Sequence, residues 1–549
     1  MNDDLNYDDE LTRSAVTITI TSTIAKQAKA HFGDVQWVRC IPEYMMMRTE
    51  ADIDIPFNDL DTVSLEWLRG ALIDSGRSTM ASMIDGLRDA TDDPANIRIK
   101  GLMVLAQALR EYLRRDMIDG WLYATGQSGE YNIPWLVTDI AYMEASNAPP
   151  CVAVYLTANG MVTRRDDGNR PTTKTFFYFL EDLQNRRVSE LLALKGYVKE
   201  TEERKEQYLL SMQKFADILP QKNCQFWGEV AGLEVDMSAS VSYPERVPFG
   251  GPCRLINDEG LIQRRFFLKA SYPWWERIGR PTCEIPVHPC ILCFNLETHT
   301  HMWMNVANLE PYHYDQTLKD KLILPEEHRD LIDILTMDMD ILMEDVVAGK
   351  SGGTTILCMG APGLGKTLTA EVYSEVVGRP LYRIHSGQLG VESDKVEKNL
   401  ELVLKRAQRW GAILLIDEAD VYIRRRGNDI DHNAVVASFL RTLEYFHGLL
   451  FLTTNRVDDV DDAIISRCIA TIRYNVPVPE DARRIWRVLA DQFQFNISDA
   501  LIDQLIVRFD GITGRDIKEL LKLTAKWCRQ KSVEPSVRVF NTCAQFRGL

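Results

Sequence analysis

Gly360-Ala361-Pro362-Gly363-Leu364-Gly365-Lys366-Thr367 satisfies G-x-x-x-x-G-K-[ST] in full, with Leu368 directly after it. Residues of these types at this spacing bind phosphate. The glycines let the backbone curl until its N–H groups point inward, and a helix opening there adds the positive end of its dipole. Lys366 is placed to reach the β- and γ-phosphates of a nucleotide, and the Thr367 hydroxyl to ligate Mg2+. Farther along, Ile413-Leu414-Leu415-Ile416-Asp417-Glu418 ends an apolar run in two carboxylates. Both acids then lie at the carboxyl end of a buried strand, where open α/β sheets bind ligands. Asp417 suits the magnesium shell, and Glu418 suits a general base acting on water for in-line attack. A further apolar run ends in Thr453-Thr454-Asn455, where Asn455 could hold that water or touch the γ-phosphate.

These side chains need a sheet to carry them. From residue 352 onward, apolar runs at 354–359, 381–385, 412–416, 449–453 and 468–474 alternate with amphipathic segments. Short buried strands alternating with helices predict a parallel sheet covered on both faces. After Pro477 the strand runs cease, and helical segments near 480–493, 498–509 and 514–530 predict a small helical lid. The expected division is a mixed α/β region over 1–145, a β-rich region over 146–320, an α/β nucleotide-binding domain over 321–478 and a lid over 479–549. Within the first region, residues 16–20 alternate as a strand does. Leu102, Leu105, Leu109 and Leu113 share one helical face. Residues 1–15 read as a solvated acidic tail, 188–219 as a helical insertion, and 322–348 as a charged helical stretch.

Length and composition fit this plan. The chain has 549 residues, 45% of them hydrophobic, which suits several domains with sizeable cores. Its 63 basic and 79 acidic residues give a net charge of −16, a field that repels polyanions and disfavours nucleic acid or an anionic membrane as a general partner. No apolar run approaches the roughly 18–20 residues of a membrane span, and the acidic start lacks the features of a signal peptide. The 11 cysteines are an odd number, scattered, and read as buried free thiols of a reducing, cytoplasmic protein.

Other signals have plainer readings. Cys290 and Cys293 have a zinc-like spacing, but they fall in a strand, where residues three apart face opposite sides. Gly349-Lys350-Ser351-Gly352-Gly353 precedes a strand instead of following one, so it reads as a linker and not a nucleophile elbow. Tyr272-Pro273-Trp274-Trp275 reads as a core anchor.

Taken as a set and in this order, GAPGLGKT, LLIDEAD, LLFLTTNR and DDAIISR resemble the AAA branch of the AAA+ ATPases over about residues 325–530. The resemblance implies a P-loop AAA+ sheet with a helical lid, and ATP and Mg2+ as ligands. It implies ATP hydrolysis at subunit interfaces of a homo-oligomeric ring, usually a hexamer, that remodels or disassembles a macromolecule. A protein client or adaptor, recognised by the N-terminal region, is the favoured partner. In the family an arginine from a neighbouring subunit steadies the transition state. Arg467 matches that position best, Arg473 is a weaker second candidate, and Arg456 is placed to support the interface. Gly511 to Asp516 resembles the second nucleotide sensor, with Arg515 reaching the γ-phosphate from the lid; a plain capped helix start, with Thr513 as N-cap, is the other reading. Around the motifs, LYRIHSGQLG, RWGAILLIDEADVYI and FLRTLEYFHGLLFLTTNR look closest to little-characterised fungal and microbial AAA proteins with a large N-terminal region.

Two stretches set the chain apart. Where many AAA translocases carry an aromatic–aliphatic–glycine triplet, Gly387 to Ser393 has no aromatic residue. Arg424, Arg425 and Arg426 follow the acid pair, where a loop of the family approaches the pore. They could grip an acidic peptide or a nucleic-acid backbone, or form a solvated loop. Two rival readings stand beside the protein remodeller: a nucleic-acid-directed motor or loader, and a nucleotide-gated scaffold.

Overall fold

Five short apolar segments form the sheet beneath the motifs. The computed structural model describes the chain except residues 1–11, 15, 34, 50, 126–130, 145–147, 162–170, 230, 238–244, 263, 273–274, 276–277, 281 and 338–352. In it, β1 (Thr354–Gly360), β2 (Leu381–His385), β3 (Ile413–Asp417), β4 (Leu449–Thr454) and β5 (Ala470–Tyr474) lie parallel in the order β2-β3-β4-β1-β5. Successive side chains point to opposite faces. Leu357, Met359, Leu414, Ile416, Leu450 and Leu452 enter one core, while Ile356, Cys358, Ile413, Leu415, Leu449 and Phe451 enter the other. The central strands β3 and β4 are buried on both faces, which is why their runs are mostly apolar, whereas the edge strands β2 and β5 also carry Arg383, Thr471 and Arg473.

Helix α1 (Lys366–Val377) follows β1 and ends at Gly378, whose φ of +70° is the left-handed stop that glycine adopts at little cost. Helices α2 (Ser393–Trp410) and α3 (Ile430–Leu443) cover the first face, and α4 (Asp462–Ile465) precedes β5. The lid comprises α5 (Pro479–Gln492), α6 (Asp499–Arg508), α7 (Gly514–Lys531) and α8 (Val537–Gln545), around Trp486, Leu505, Leu520 and Phe540. The first three match the expected segments; α8 was not foreseen.

The preceding region holds two antiparallel sheets. The first runs Thr172–Tyr178, Cys151–Ala158, Tyr131–Glu144, Trp121–Thr125, Tyr197–Lys199, with Thr12–Ser14 beside Tyr131–Glu144. Helices Ser78–Asp92 and Leu102–Arg114 share its core; Leu105, Leu109 and Leu113 are buried as the spacing predicts. The ribbon Thr17–Thr21 with Asp52–Pro56 joins the same core. Strands 131–144 and 151–158 pair as a hairpin, so the expected break at 145/146 falls inside this sheet. The insertion at 188–219 divides into Val188–Leu194 and Glu202–Ile218, with Tyr197–Lys199 pairing back to the sheet. Residues 12–14 form a strand; the rest of the tail read over 1–15 lies outside the described residues.

The second sheet runs Glu245–Pro248, Ala231–Val235, His301–Asn305, Cys290–Asn295, Cys253–Asn257, Gln225–Gly228, Leu309–Pro311. Cys290 packs in one core and Cys293 in another, so the two thiols point apart. Trp275 is buried and its indole N–H donates to the Val137 carbonyl at 2.7 Å, an anchor in the core; Pro273 and Trp274 lie outside the described residues. The charged stretch read over 322–348 is helical over Glu326–Met337 and non-helical over 322–325; its part at 338–348, like the 349–352 part of the linker, lies outside the described residues.

This sheet is joined to the nucleotide-binding part. Ile256, Phe294 and Leu296 enter the core beneath α2, and Phe294 packs edge-on to Tyr382 of β2. Asp258, fully buried, accepts from Arg409 Nη2 at 2.7 Å, Trp410 Nε1 at 2.8 Å and His301 at 3.0 Å.

Candidate functional site

All the strands of the parallel sheet end on the same side, and the motif residues meet there. Thr367 Oγ1 donates to Asp417 Oδ1 at 2.9 Å, and Thr453 Oγ1 donates to the same oxygen at 2.6 Å. Lys366 Nζ donates to the Gly360 and Ala361 carbonyls, each at 2.7 Å, and to Asn455 Oδ1 at 3.0 Å. Asn455 is itself held by Asp420, which accepts its backbone N–H at 3.2 Å and also the Thr454 hydroxyl. Glu418 is exposed, and its backbone N–H donates to Thr453 Oγ1 at 3.0 Å. Its φ of +54° is the left-handed region, a costly conformation for glutamate of the kind that clusters at active sites.

The electrostatics follow from burial and neighbours. Burial works to raise the Asp417 carboxyl, but hydrogen bonds from Thr453 and Thr367 and the charge of Arg383 outweigh it, so it sits below the ordinary range. Burial pulls the Lys366 ammonium down against the opposing charge of Asp417. Burial raises the Glu371 carboxyl despite Arg383 beside it.

A cavity of about 1060 Å³ opens over these groups. Pro362, Gly363, Leu364, Gly365, Lys366, Thr367 and Leu368 line it, with Asp417, Glu418, Asn455 and Arg515. At Gly365 (φ +98°) an added Cβ meets nothing within 4 Å, so the loop faces open space. At Gly363 (φ +84°) a Cβ would come within 2.8 Å of Thr513 Oγ1 and 2.9 Å of Arg515 Cβ. The lid therefore begins directly against the loop, and the Arg515 N–H donates to the Gly363 carbonyl at 3.2 Å. Thr513 caps α7 through a box with Asp516, as the plain helix-start reading expects, and Arg515 lines the cavity.

The remaining walls were not read from the sequence. Leu322, Ile323, Leu324 and Pro325 precede β1, and Ile485, Val488 and Leu489 belong to α5; together they make an apolar slot suited to a flat ring. Arg383, Arg473, Lys518 and Arg547 bring cations. Arg473, the weaker candidate to act on a neighbour, lines the cavity of its own chain. An apolar slot for a base, a glycine-rich loop at a helix N-terminus and several cations fit a nucleotide. The Thr367 hydroxyl beside the Asp417 carboxylate is a hard-oxygen donor pair, and that suits Mg2+.

Arg467 stands outside this cavity, exposed just beyond α4, and pairs with Glu444. Arg424, Arg425 and Arg426 each face a carboxylate: Asp459 at 3.3 Å, Asp462 at 3.6 Å and Asp461 at 2.8 Å.

Residues 356–476 match the model of the ATPase family associated with various cellular activities (AAA). The chain is 26% identical over 236 residues to the ATPase family AAA domain-containing protein FIGL1 of Arabidopsis thaliana, covering 40% of this chain and 32% of that protein. It is 30% identical over 182 residues to the mitochondrial sorting homolog of Caenorhabditis elegans, covering 31% of this chain and 52% of that protein. It thus spans well under two thirds of the length of these curated relatives. A crystal structure of the FIGL-1 AAA domain in complex with ADP aligns over 41% of this chain and 82% of that one, at 18% identity and a TM-score of 0.34. The family match falls on the sheet and motif residues just described, and the chain carries an AAA ATPase domain. Among the described residues, no helix is long and apolar enough to cross a membrane.

Proposed function

We propose that this protein is a Mg2+-dependent ATP hydrolase that works as a homo-oligomeric ring, with six copies the expected size, and remodels a protein client. The observation that carries the reading is the convergence of Lys366, Thr367, Asp417 and Asn455 within hydrogen-bonding reach beneath one cavity. Lys366 and the loop N–H groups hold the phosphates, and Thr367 and Asp417 hold Mg2+. The metal supplies charge neutralisation of the phosphate oxygens. Glu418 takes the proton of the attacking water, and Asn455 orients that water or the γ-phosphate. Arg467, exposed and away from its own cavity, acts on the site of the next copy, and Arg515 closes the lid on the phosphates. The N-terminal sheets recognise the client. The free thiols fit a reducing compartment, the cytoplasm.

The test is phosphate release by wild type and Glu418→Gln, each sized by light scattering with and without ATP. The expected result is turnover by wild type only, a loss of at least about 100-fold in the variant, and an ATP-held ring in that variant. A wild-type monomer that turns over no ATP with Mg2+ present would refute the reading.

A further inference from the structure

Arg383 enters the nucleotide cavity from β2, and none of the phosphate-loop, acid-pair or Thr-Thr-Asn motifs contains it. Its guanidinium stands between two carboxylates. Nη2 donates to Asp417 Oδ2 at 2.6 Å and Nη1 to Glu371 Oε1 at 3.3 Å. Nε is buried and has no hydrogen-bond partner among the described residues. The other Asp417 oxygen is already shared by Thr367 and Thr453. The one carboxylate suited to Mg2+ is therefore fully engaged, and one of its partners is a fixed cation, since a guanidinium does not lose its proton in a protein. The register of the sheet holds the pair together: β2 and β3 run side by side, with Arg383 opposite Leu415 and His385 opposite Asp417.

We propose that Arg383 is the resident counter-cation of this site, a positioning residue that holds Asp417 and Glu371 until Mg2+ arrives with the nucleotide. Two consequences follow from charge alone. Without metal, the guanidinium offsets two carboxylates that would otherwise repel a polyphosphate, so the nucleotide binds with less help from Mg2+ than an unguarded site would need. With metal, Mg2+ would compete with the guanidinium for the Asp417 carboxylate, so its apparent affinity would be lowered. Both effects have the same origin, and both disappear when the charge is removed. The proposal rests on the nucleotide-site reading above.

The test is equilibrium binding of a fluorescent ATP analogue to the full chain, first in EDTA and then along a Mg2+ titration, for wild type, Arg383→Met and Arg383→Lys. Loss of one charge-assisted pair predicts about tenfold weaker binding of Arg383→Met in EDTA and a Mg2+ midpoint about tenfold lower, with Arg383→Lys in between. A gain in Mg2+ affinity cannot come from misfolding. A midpoint for Arg383→Met within about twofold of wild type overturns the proposal, whatever happens in EDTA. If wild type binds no analogue under any condition, the nucleotide-site reading itself falls; if wild type binds and the variant titrates identically, only the role of Arg383 falls.

Discussion

Replacing Asp258 by alanine removes the polar centre of the joint between the second antiparallel sheet and the nucleotide-binding part. The carboxylate is fully buried and accepts from Arg409 Nε at 3.0 Å and Nη2 at 2.7 Å, from Trp410 Nε1 at 2.8 Å and from His301 at 3.0 Å. The variant leaves the indole N–H of buried Trp410 without an acceptor, at a cost of about 1–3 kcal/mol. Arg409 is 30% exposed along its side chain and can turn to water, so its two bonds count for less than a buried pair would. His301, at 8%, loses its partner as well. Together these predict a destabilisation of about 3 kcal/mol, within the range seen when one member of a buried charged cluster is removed. Urea unfolding followed by tryptophan fluorescence reads it directly, since Trp410 lies at the joint. A shift worth less than about 1 kcal/mol would refute the claim that this cluster fastens the two parts. The pH dependence has a definite sign. Burial pushes the Asp258 carboxyl up, but His301, Arg409 and Trp410 hold it below the ordinary range. A lowered carboxylate contributes its full stability above the unfolded value near pH ~3.9 and loses it as pH falls through the folded value. The contribution of the Asp258 carboxylate itself should therefore be fully present down to about pH 4 and be lost only below that.

Gly363→Ala should keep the fold and lower nucleotide affinity by about tenfold, because φ is +84° and the new Cβ would press on Thr513 and Arg515, driving the lid off the loop. Calorimetric titration with ATP checks this, and an unchanged affinity would contradict it. Native protein should show fast reaction with an aromatic disulfide at the exposed Cys40 and Cys224. Cys253 and Cys358, each buried and pushed up by burial to about 12, should react only on unfolding. Fast labelling of Cys358 in the folded state would contradict the buried sheet.

The residues that the sequence revealed are those whose chemistry is contiguous. Gly360 to Thr367, Asp417 with Glu418, and Asn455 each announce themselves because a strand end and its neighbours lie within a few positions, and the apolar runs beneath them are long enough to read as strands. Arg383 was missed for the opposite reason. It is a lone cation inside an apolar run, and only the pairing of β2 with β3 brings it to Asp417. Asp258 was missed because its partners lie far along the chain at Arg409 and Trp410. The break at 145/146 failed because a hairpin places paired strands on both sides of it, and a shift in composition does not show which strands pair. Cys290 and Cys293 were legible because strand geometry alone separates their thiols. Helix α8 escaped because its apolar positions, Phe540, Cys543 and Ala544, are few and matter only once the lid core exists to receive them.

The most direct test of the central claim, hydrolysis at a site shared between copies, is a mixing experiment. Arg467→Ala keeps its own Glu418, and Glu418→Gln keeps an arginine to lend. Each variant alone should release almost no phosphate. Mixed under conditions where subunits exchange, they should regain activity, because an intact cavity of one copy then meets an intact Arg467 of the other. A mixture as inactive as its parts, or an Arg467→Ala variant that hydrolyses ATP like wild type, would contradict the account.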